Sequence, residues 1–491
     1  MEKSLSELGL TAKHASDVRI TGLSVDSRQV KAGHLFAALP GAHDHGASFI
    51  TFALRMGAAA ILTDPAGAAL AADDLAASKA ALIVVEDPRQ ALAGSSALWF
   101  GAQPDYMVAI TGTNGKTSVA SFCRQIWQLL GLSAINLGTT GVEGSWTAPS
   151  SHTTPEPITL HRMLSGAAAA GVTHGAMEAS SHGLAQRRLD GVRLRAAAFT
   201  NFSQDHLDYH ASFEAYFEAK AGLFSRILDV DGVAVVNSND ARGADMAMIA
   251  QERGIDVFRI GRQDEAEFRI RGQRYDGTGQ DLRFDCFGEA TQVRLDLIGG
   301  FQAENVLTAA ALVIACGETP ARVFATLPEL TTVRGRMQLA ATRDNGASVY
   351  VDYAHTPDAL VTALRAMRPH VLGRLIAVIG AGGDRDTTKR PLMGQAAAEN
   401  ADLVFVTDDN PRSEEPARIR QMVMAGCPGA IEVGDRAEAI LRGVDALGPG
   451  DALLIAGKGH ETVQIVGEDT LHFDDVEQAS IAVAALEGRL G

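Results

Sequence analysis

The chain has 491 residues, too many for one compact core, and length alone sets a prior of about three domains. Its composition, 46% hydrophobic and 21% charged, excludes the disordered and fibrous classes. A formal net charge of −16 argues against a general nucleic-acid or anionic-membrane surface, so an anionic ligand has to be caught by locally placed cations.

The first residues, MEKSLSELGL, lack the basic-then-apolar order of a secretory signal, and no apolar run approaches the roughly 20 residues that span a bilayer. A cytoplasmic protein without membrane insertion is expected, and a monomer. Cys123, Cys286, Cys316 and Cys427 are scattered, with no CxxC pair, and read as small buried hydrophobes.

Short β-branched runs alternate with Ala/Leu-rich helical segments, which predicts α/β architecture with largely parallel sheets. Residues 1–100 form a first block ending in the strand ALIVVED and the helix RQALAGSSALWF. Residues 101–333 form a second, and residues 334–491 a third, with the boundary in TTVRGRMQ.

The second block opens on MVAITGTNGKTSVASFCRQIWQLLGL. The pattern predicts a strand over Met107–Ile110, a Gly-containing loop, and a helix with an apolar stripe at Val119, Phe122, Ile126 and Leu129 or Leu130. Loop N–H groups over Gly112, Thr113, Asn114, Gly115, Lys116, Thr117 and Ser118, with the helix N-terminus behind them, make a cradle for phosphates. Lys116 would reach the outer phosphates and the Thr117 hydroxyl would hold Mg2+. The strict phosphate-loop pattern wants glycine where Ile110 stands, so the match is to the shortened form G-x-x-G-K-T. It predicts nucleotide binding without choosing among kinase, NTPase and ligase.

Further along, Glu178 follows the strand-like THGAM, and QDHLDYH follows AAFTNF. Asp205, His206, Asp208 and His210 could be taken for a zinc site, but their spacing does not put all four on one face and no cysteine is near. Lys220, in YFEAKAGLF, reads plainly as a lysine on an amphipathic helix with its head in water. Residues 262–290 alternate like antiparallel strands and read as an excursion within the second block.

In the third block RLIAVIG leads into AGGDRDTTKRP, ADLVFVT into DDNPRSEEP, and DALLIAG into KGHET. Three parallel strands would deliver three charged loops to one carboxyl-terminal edge, where such sheets bind ligands. GAGGDRD lacks the G-x-G-x-x-G spacing of a dinucleotide fingerprint. Arg412 stands among Asp408, Asp409, Glu414 and Glu415, as a surface ion-pair cluster or as the reader of an incoming anion.

TGTNGKTS is followed in order by MEASSHGL, FTNFSQDHLDYH, YFEAKAGLF, GRMQ, VDYAHTPDAL, GAGGDRD, DDNPR and GKGHE, and preceded by SVDSRQVKAGHLFAALPG. This series resembles the Mur ligases and the related folylpolyglutamate synthetases. The resemblance implies an N-terminal α/β UDP-binding domain, a central P-loop ATPase domain with a mostly parallel sheet, and a C-terminal Rossmann-like domain. It implies an ATP-dependent amide ligase of peptidoglycan precursor synthesis, adding meso-2,6-diaminopimelate to UDP-N-acetylmuramoyl-L-alanyl-D-glutamate through an acyl phosphate. ATP would be the co-substrate and Mg2+ the cofactor.

By the same resemblance Lys116, Glu178, His206 and Lys220 are catalytic. Thr117, Glu178, His206 and a carbamylated Lys220 serve the metal, while Asn305, Arg336, Asp352 and His355 complete the ATP site. Val25, Ser27, Ala42, His43, Asp44, Thr153, Thr154, Ser180, Gln186 and Arg188 would bind the UDP-sugar peptide. Arg187 competes with Arg188 for that role, and His152 stands where some relatives carry asparagine. Arg385, Asp409, Asn410, Pro411, Arg412, Gly457 and Glu461 would take diaminopimelate. There Arg412 reads a carboxylate and would repel the side-chain ammonium of lysine. The rivals are a lysine-adding ligase, told apart by the Arg412 loop, a folylpolyglutamate synthetase, and a nucleotide-binding switch without ligase activity.

Overall fold

The computed structural model describes residues 2–13, 18–41, 44–150, 152–203 and 209–489. Three main sheets follow one another along the chain. The first is parallel, in the order Gly22–Ser24, His34–Ala37, Ala60–Thr63, Ala81–Val84. The helix Pro88–Phe100 begins where the Asp87 carboxylate accepts from the Gln90 N–H, with Pro88 in the first turn. It buries Leu92 and Trp99 against Leu5, Leu35 and Ile83.

The second sheet has ten strands. Tyr106–Thr111 lies inside it, parallel to His174–Glu178 on one side and Leu194–Phe199 on the other. All of YMVAIT except Tyr106 is buried, as expected of a strand covered on both faces. The helix Lys116–Leu129 covers one face with Val119, Phe122, Cys123, Ile126 and Trp127. Of the two leucines that could close the apolar stripe, Leu130 packs partly buried against this core and Leu129 is 42% exposed; Trp127 is buried there as well.

The charged stretch near residues 262–290 belongs to the strands Phe268–Asp276, Gly279–Cys286 and Glu289–Leu295. They pair antiparallel with one another, but Phe268 pairs parallel with Ile260, so they continue the central sheet rather than leave it.

The third sheet runs Gln338–Thr342, Ser348–Asp352, Ala452–Ala456, Leu375–Ile379, Leu403–Val406, Ile431–Glu432, parallel except for the first pair. Apolar clusters on both faces make it doubly wound. The second and third sheets are tied together beyond the covalent link. Ile298, just after the central sheet, is buried with Leu360, Leu364, Met367 and Leu375 of the following sheet's core. The Gly299 N–H donates to His370 Nε2 at 3.1 Å, and His370 Nδ1 lies 2.7 Å from the Asp276 carbonyl.

All four cysteines are free, three of them buried and Cys316 half-buried. Among the described residues no helix is long and apolar enough to cross a membrane.

Candidate active site

A cavity of about 550 Å³ opens at the carboxyl ends of the central strands and reaches the third sheet. Thr113, Asn114, Gly115, Lys116, Thr117 and Ser118 line it from the predicted phosphate loop. Gly112, with φ 143°, passes so close to Thr200 that a methyl there would lie 1.9 Å from its Oγ1. Thr200 Oγ1 donates to the Asn114 carbonyl at 2.6 Å and Asn201 Oδ1 accepts from the Asn114 N–H, so the neighbouring strand end shapes the loop.

Lys116 Nζ donates to the Gly112 and Thr113 carbonyls at 2.8 and 2.7 Å. Lys220 Nζ donates to the same Gly112 carbonyl at 2.7 Å and lies 4.5 Å from the centre of the Tyr216 ring. Lys220 is 1% exposed, which corrects the plain reading of a helix lysine with its head in water. The phosphate loop covers the helix face that carries it.

Glu178 is the last residue of its strand and is buried. Its carboxylate accepts from the Thr117 hydroxyl at 3.0 Å and the Thr139 N–H at 2.8 Å. His206 lies outside the described residues.

Asn305, Arg336, Asp352 and His355 also line the cavity. Asn305 is buried on the helix Gln302–Ala315, while His355 is exposed. The Asp352 carboxylate accepts from the Met337 and Ala354 N–H groups, each at 2.8 Å. Burial raises its pKa, against the pull of Arg336. Arg336 crosses from the third block to the phosphate loop: its guanidinium lies 4.5 Å from the Tyr353 ring centre and donates to Thr117 Oγ1 at 3.5 Å.

A run of polar contacts leaves the cavity on one side. Thr139 and Thr153 hydroxyls are 3.0 Å apart, Ser180 donates to Thr154 Oγ1, and Arg188 donates to the Thr154 carbonyl at 2.6 Å and to Gln186 Oε1 at 2.8 Å. Arg187 instead pairs with Asp87 at 3.0 Å and Asp190 at 3.4 Å. Thr153, Thr154, Ser180, Gln186 and Arg188 are thus brought together, and Arg187 is turned away from them.

A second cavity, about 310 Å³, lies between Leu23–Asp26 and residues 149–163. Val25 and His152 line it, with Asp26, Gln29, Glu156 and Arg162, which sequence reasoning missed. Ser27 is buried in the short turn capped by Asp26 and does not line it; Asp44 is exposed. Ala42 and His43 lie outside the described residues.

The three charged loops of the third sheet do converge. Asn410 Nδ2 donates to Glu461 at 2.8 Å, Lys458 Nζ donates to Asn410 Oδ1 at 3.2 Å, and Asp409 lies against Gly457, where a methyl would sit 2.5 Å from its Oδ2. Burial lowers the pKa of Lys458, while Asp409 and Glu461 pull it back.

Arg412 has φ 52° and donates from Nη1 to the Gly383 carbonyl at 2.7 Å, while the Pro411 carbonyl packs against Gly383. Two of its acidic neighbours are engaged elsewhere. Glu414 takes both Nη atoms of buried Arg390, at 2.7 and 2.9 Å, and Asp408 pairs with Arg420. Among the described residues no carboxylate lies within ion-pairing distance of Arg412, so the self-paired surface cluster is not what the loop forms. Arg385 is exposed, one residue from Asp384.

Sequence reasoning also missed Tyr353, Asn237 and Glu304 on the main cavity wall. Asn237 ends a strand and donates to Glu304 at 3.1 Å, a pairing across 67 positions that no local pattern announces.

Three family profiles match in order: "Mur ligase family, catalytic domain" over residues 19–99, "Mur ligase middle domain" over 110–313, and "Mur ligase, glutamate ligase domain" over 335–459. The UDP-N-acetylmuramoyl-L-alanyl-D-glutamate--2,6-diaminopimelate ligase of Bradyrhizobium diazoefficiens is 48% identical over 472 residues, covering 95% of this chain and 96% of that protein. The protein of the same name from Caulobacter vibrioides is 47% identical over 495 residues, covering 99% of both. A solved structure bearing that name superposes with a TM-score of 0.72 at 33% identity, covering 99% of this chain and 100% of its own.

Proposed function

The chain belongs to the Mur ligase family, and from that membership we propose the detailed reading that follows. It is an ATP-dependent ligase that adds 2,6-diaminopimelate to UDP-N-acetylmuramoyl-L-alanyl-D-glutamate. The observation that carries the reading is one convergence. The phosphate loop, Glu178, Lys220 and Arg336 meet at one cavity, with the Thr153–Arg188 run leading off it. Tyr353, on its wall, feels the charges of Glu461, Asp409 and Arg385 in the third-sheet loops.

A carboxylate is a poor electrophile, so joining it to an amine needs activation. In the proposed sequence the terminal carboxylate of the UDP-sugar peptide attacks the γ-phosphorus of ATP, and ADP leaves. The amine of diaminopimelate then attacks the acyl phosphate, and phosphate departs from the tetrahedral intermediate. Both steps gather negative charge where loop N–H groups, Lys116 and Arg336 stand, and catalysis is mainly positioning and charge neutralisation.

Thr117 and Glu178 offer hard oxygens on the same wall, 3.0 Å apart, a donor set that suits Mg2+. With His206 they would hold it, and the ion would neutralise phosphate oxygens when bound. Lys220 fits carbamylation because that reaction needs a desolvated, neutral amine, and the side chain is 1% exposed.

Val25, Asp26 and Arg162 suit the second cavity to the uridine end of the UDP-sugar, with Thr153, Thr154, Ser180, Gln186 and Arg188 along the peptide arm. Diaminopimelate carries two carboxylates and two amines. Arg412 and Arg385 would take its distal carboxylate, and Asp409 and Glu461 its free ammonium. We place the domain limits at 1–100, 101–333 and 334–491, and take the protein to be cytoplasmic and monomeric.

The test is ATP-dependent phosphate release with the UDP-sugar dipeptide, adding meso-diaminopimelate or L-lysine in parallel, for the wild type and Arg412→Ala. Release with diaminopimelate alone, and a raised amino-acid KM in Arg412→Ala, is expected. Equal use of lysine would overturn the carboxylate-reading role of Arg412 and favour the lysine-adding alternative. No release with either would overturn the ligase reading for this chain.

A further inference from the structure

Resting on the ligase reading above, we infer that Tyr353 is a positioning residue for the reaction. Its ring is the platform that holds Arg336 over the phosphate loop, and it makes that hold depend on the Gly457–Glu461 loop. Tyr353 follows the strand Ser348–Asp352 and lines the nucleotide cavity. One set of contacts points to the phosphates, where the Arg336 guanidinium lies 4.5 Å from the ring centre with Nη2 3.5 Å from Thr117 Oγ1. An arginine on an aromatic face is attracted by the ring quadrupole and keeps its N–H groups free for an anion.

The other set points to the amino-acid loops. The His460 ring lies 5.1 Å from the Tyr353 ring at an interplanar angle of 41°. The backbone of Gly459 runs so close that a methyl there would lie 2.7 Å from Tyr353 Cβ and 2.9 Å from the Gly335 carbonyl. Gly335 precedes Arg336, so the arginine's backbone abuts the loop that carries Glu461 directly, and the Tyr353 ring joins its guanidinium to His460 of that loop. Among the described residues the buried His460 Nδ1 has no hydrogen-bond partner, and the ring packs on Tyr353.

The chemistry requires such a connection. The acyl phosphate forms beside the nucleotide, and the amine arrives from the third-sheet loops, so the two halves have to be registered to well under an ångström-scale error. A ring shared by Arg336 and His460 does this without touching a reacting atom. The phenol is not required for it, because both contacts are made by the ring.

The test is a double-mutant cycle on Arg336 and Tyr353, using Arg336→Ala, Tyr353→Phe, Tyr353→Leu and the double variant Arg336→Ala/Tyr353→Leu. Each is measured for ATP KM, amino-acid KM and kcat, and for ADP affinity by calorimetry with no other substrate present. Tyr353→Phe is expected to stay within about twofold of wild type. Tyr353→Leu should lose roughly tenfold or more in kcat/KM for ATP. The double variant should be no worse than Arg336→Ala alone, since both changes remove one contact.

Fully additive losses, or a Tyr353→Phe as damaged as Tyr353→Leu, would overturn the proposal. A Tyr353→Leu whose melting temperature falls with its activity while the cycle is additive would assign the residue to stability alone. Failure of the wild type to release phosphate, with ADP still bound, would strike the ligase reading instead. In that event non-additive ADP affinities would still support the platform, and additive ones would overturn it.

Discussion

Lys116 and Lys220 donate to one acceptor, the Gly112 carbonyl, from sequence positions 104 residues apart. Two protonated amines at one oxygen would repel each other, and a carbamate on one of them would replace that repulsion with attraction. Conversion of Lys220 to a carbamate would place negative charge beside Lys116 and an oxygen donor in the cavity that Thr117 and Glu178 also line.

Lys220→Arg keeps the cation and forbids the carbamate. It is expected to lower kcat by roughly a hundredfold or more while ADP still binds. Labelled bicarbonate should give a carbamate carbon resonance in the wild type and none in Lys220→Arg. A fully active Lys220→Arg would remove the carbamate from the mechanism.

Gly112→Ala should damage the phosphate loop from within. The added methyl meets Thr200 Oγ1, and φ 143° is unfavourable for an L side chain. A stability loss of about 1–3 kcal/mol in chemical denaturation, with a raised ATP KM and a nearly unchanged amino-acid KM, is expected.

Glu414 supports the Arg412 loop from below. It holds Arg390, and the Asp384 N–H donates to it at 2.6 Å, so its carboxyl is pulled down to about 2. A depressed carboxyl contributes stability that is present above its unfolded value, about 4.5, and is lost as pH falls through about 2. Glu414→Gln should flatten acid unfolding in that window and raise the amino-acid KM. Glu414→Ala leaves a buried guanidinium unpaired and should cost up to about 3–5 kcal/mol, reduced by solvent reaching the site.

His370 is the corresponding group on the mildly acidic side. Its ring donates from Nδ1 to the Asp276 carbonyl and accepts at Nε2 from the Gly299 N–H, which only the neutral tautomer can do. Burial lowers its pKa most, Asp276 and the carbonyl contact raise it, and Arg294 lowers it again. A histidine with a lowered folded value contributes stability that is present above its unfolded value, near 6.5, and is lost as pH falls toward the folded one. Melting temperatures from pH 7.5 to 5 should fall in the wild type and flatten in His370→Gln.

The phosphate-loop strand and the three loops of the third sheet were legible because each is local. A β-branched run, a glycine turn and a helical period occupy consecutive residues, and parallel strands put every such turn on one edge. The fate of Lys220 was not legible. Its helix pattern permits a solvated head, and only the phosphate loop, 108 positions earlier, covers it.

Arg412 was ambiguous for the same reason. The partners that take away Glu414 and Asp408 are Arg390 and Arg420, the first from the helix Lys389–Asn400 and the second from Pro416–Met424. Alternation revealed the hairpins after residue 262, but their attachment to the central sheet depends on pairing Phe268 with Ile260, which hydrophobic periodicity does not encode.

Ile298 belongs by sequence to the nucleotide-binding segment, yet its side chain is buried in the core that follows. Neither unit can be separated cleanly at the linker near residue 333. A fragment ending there would present a bare isoleucine to water and withdraw the amide that His370 needs, while the remaining fragment would be left with a hole. Heating the whole chain should therefore melt these two units in a single calorimetric transition.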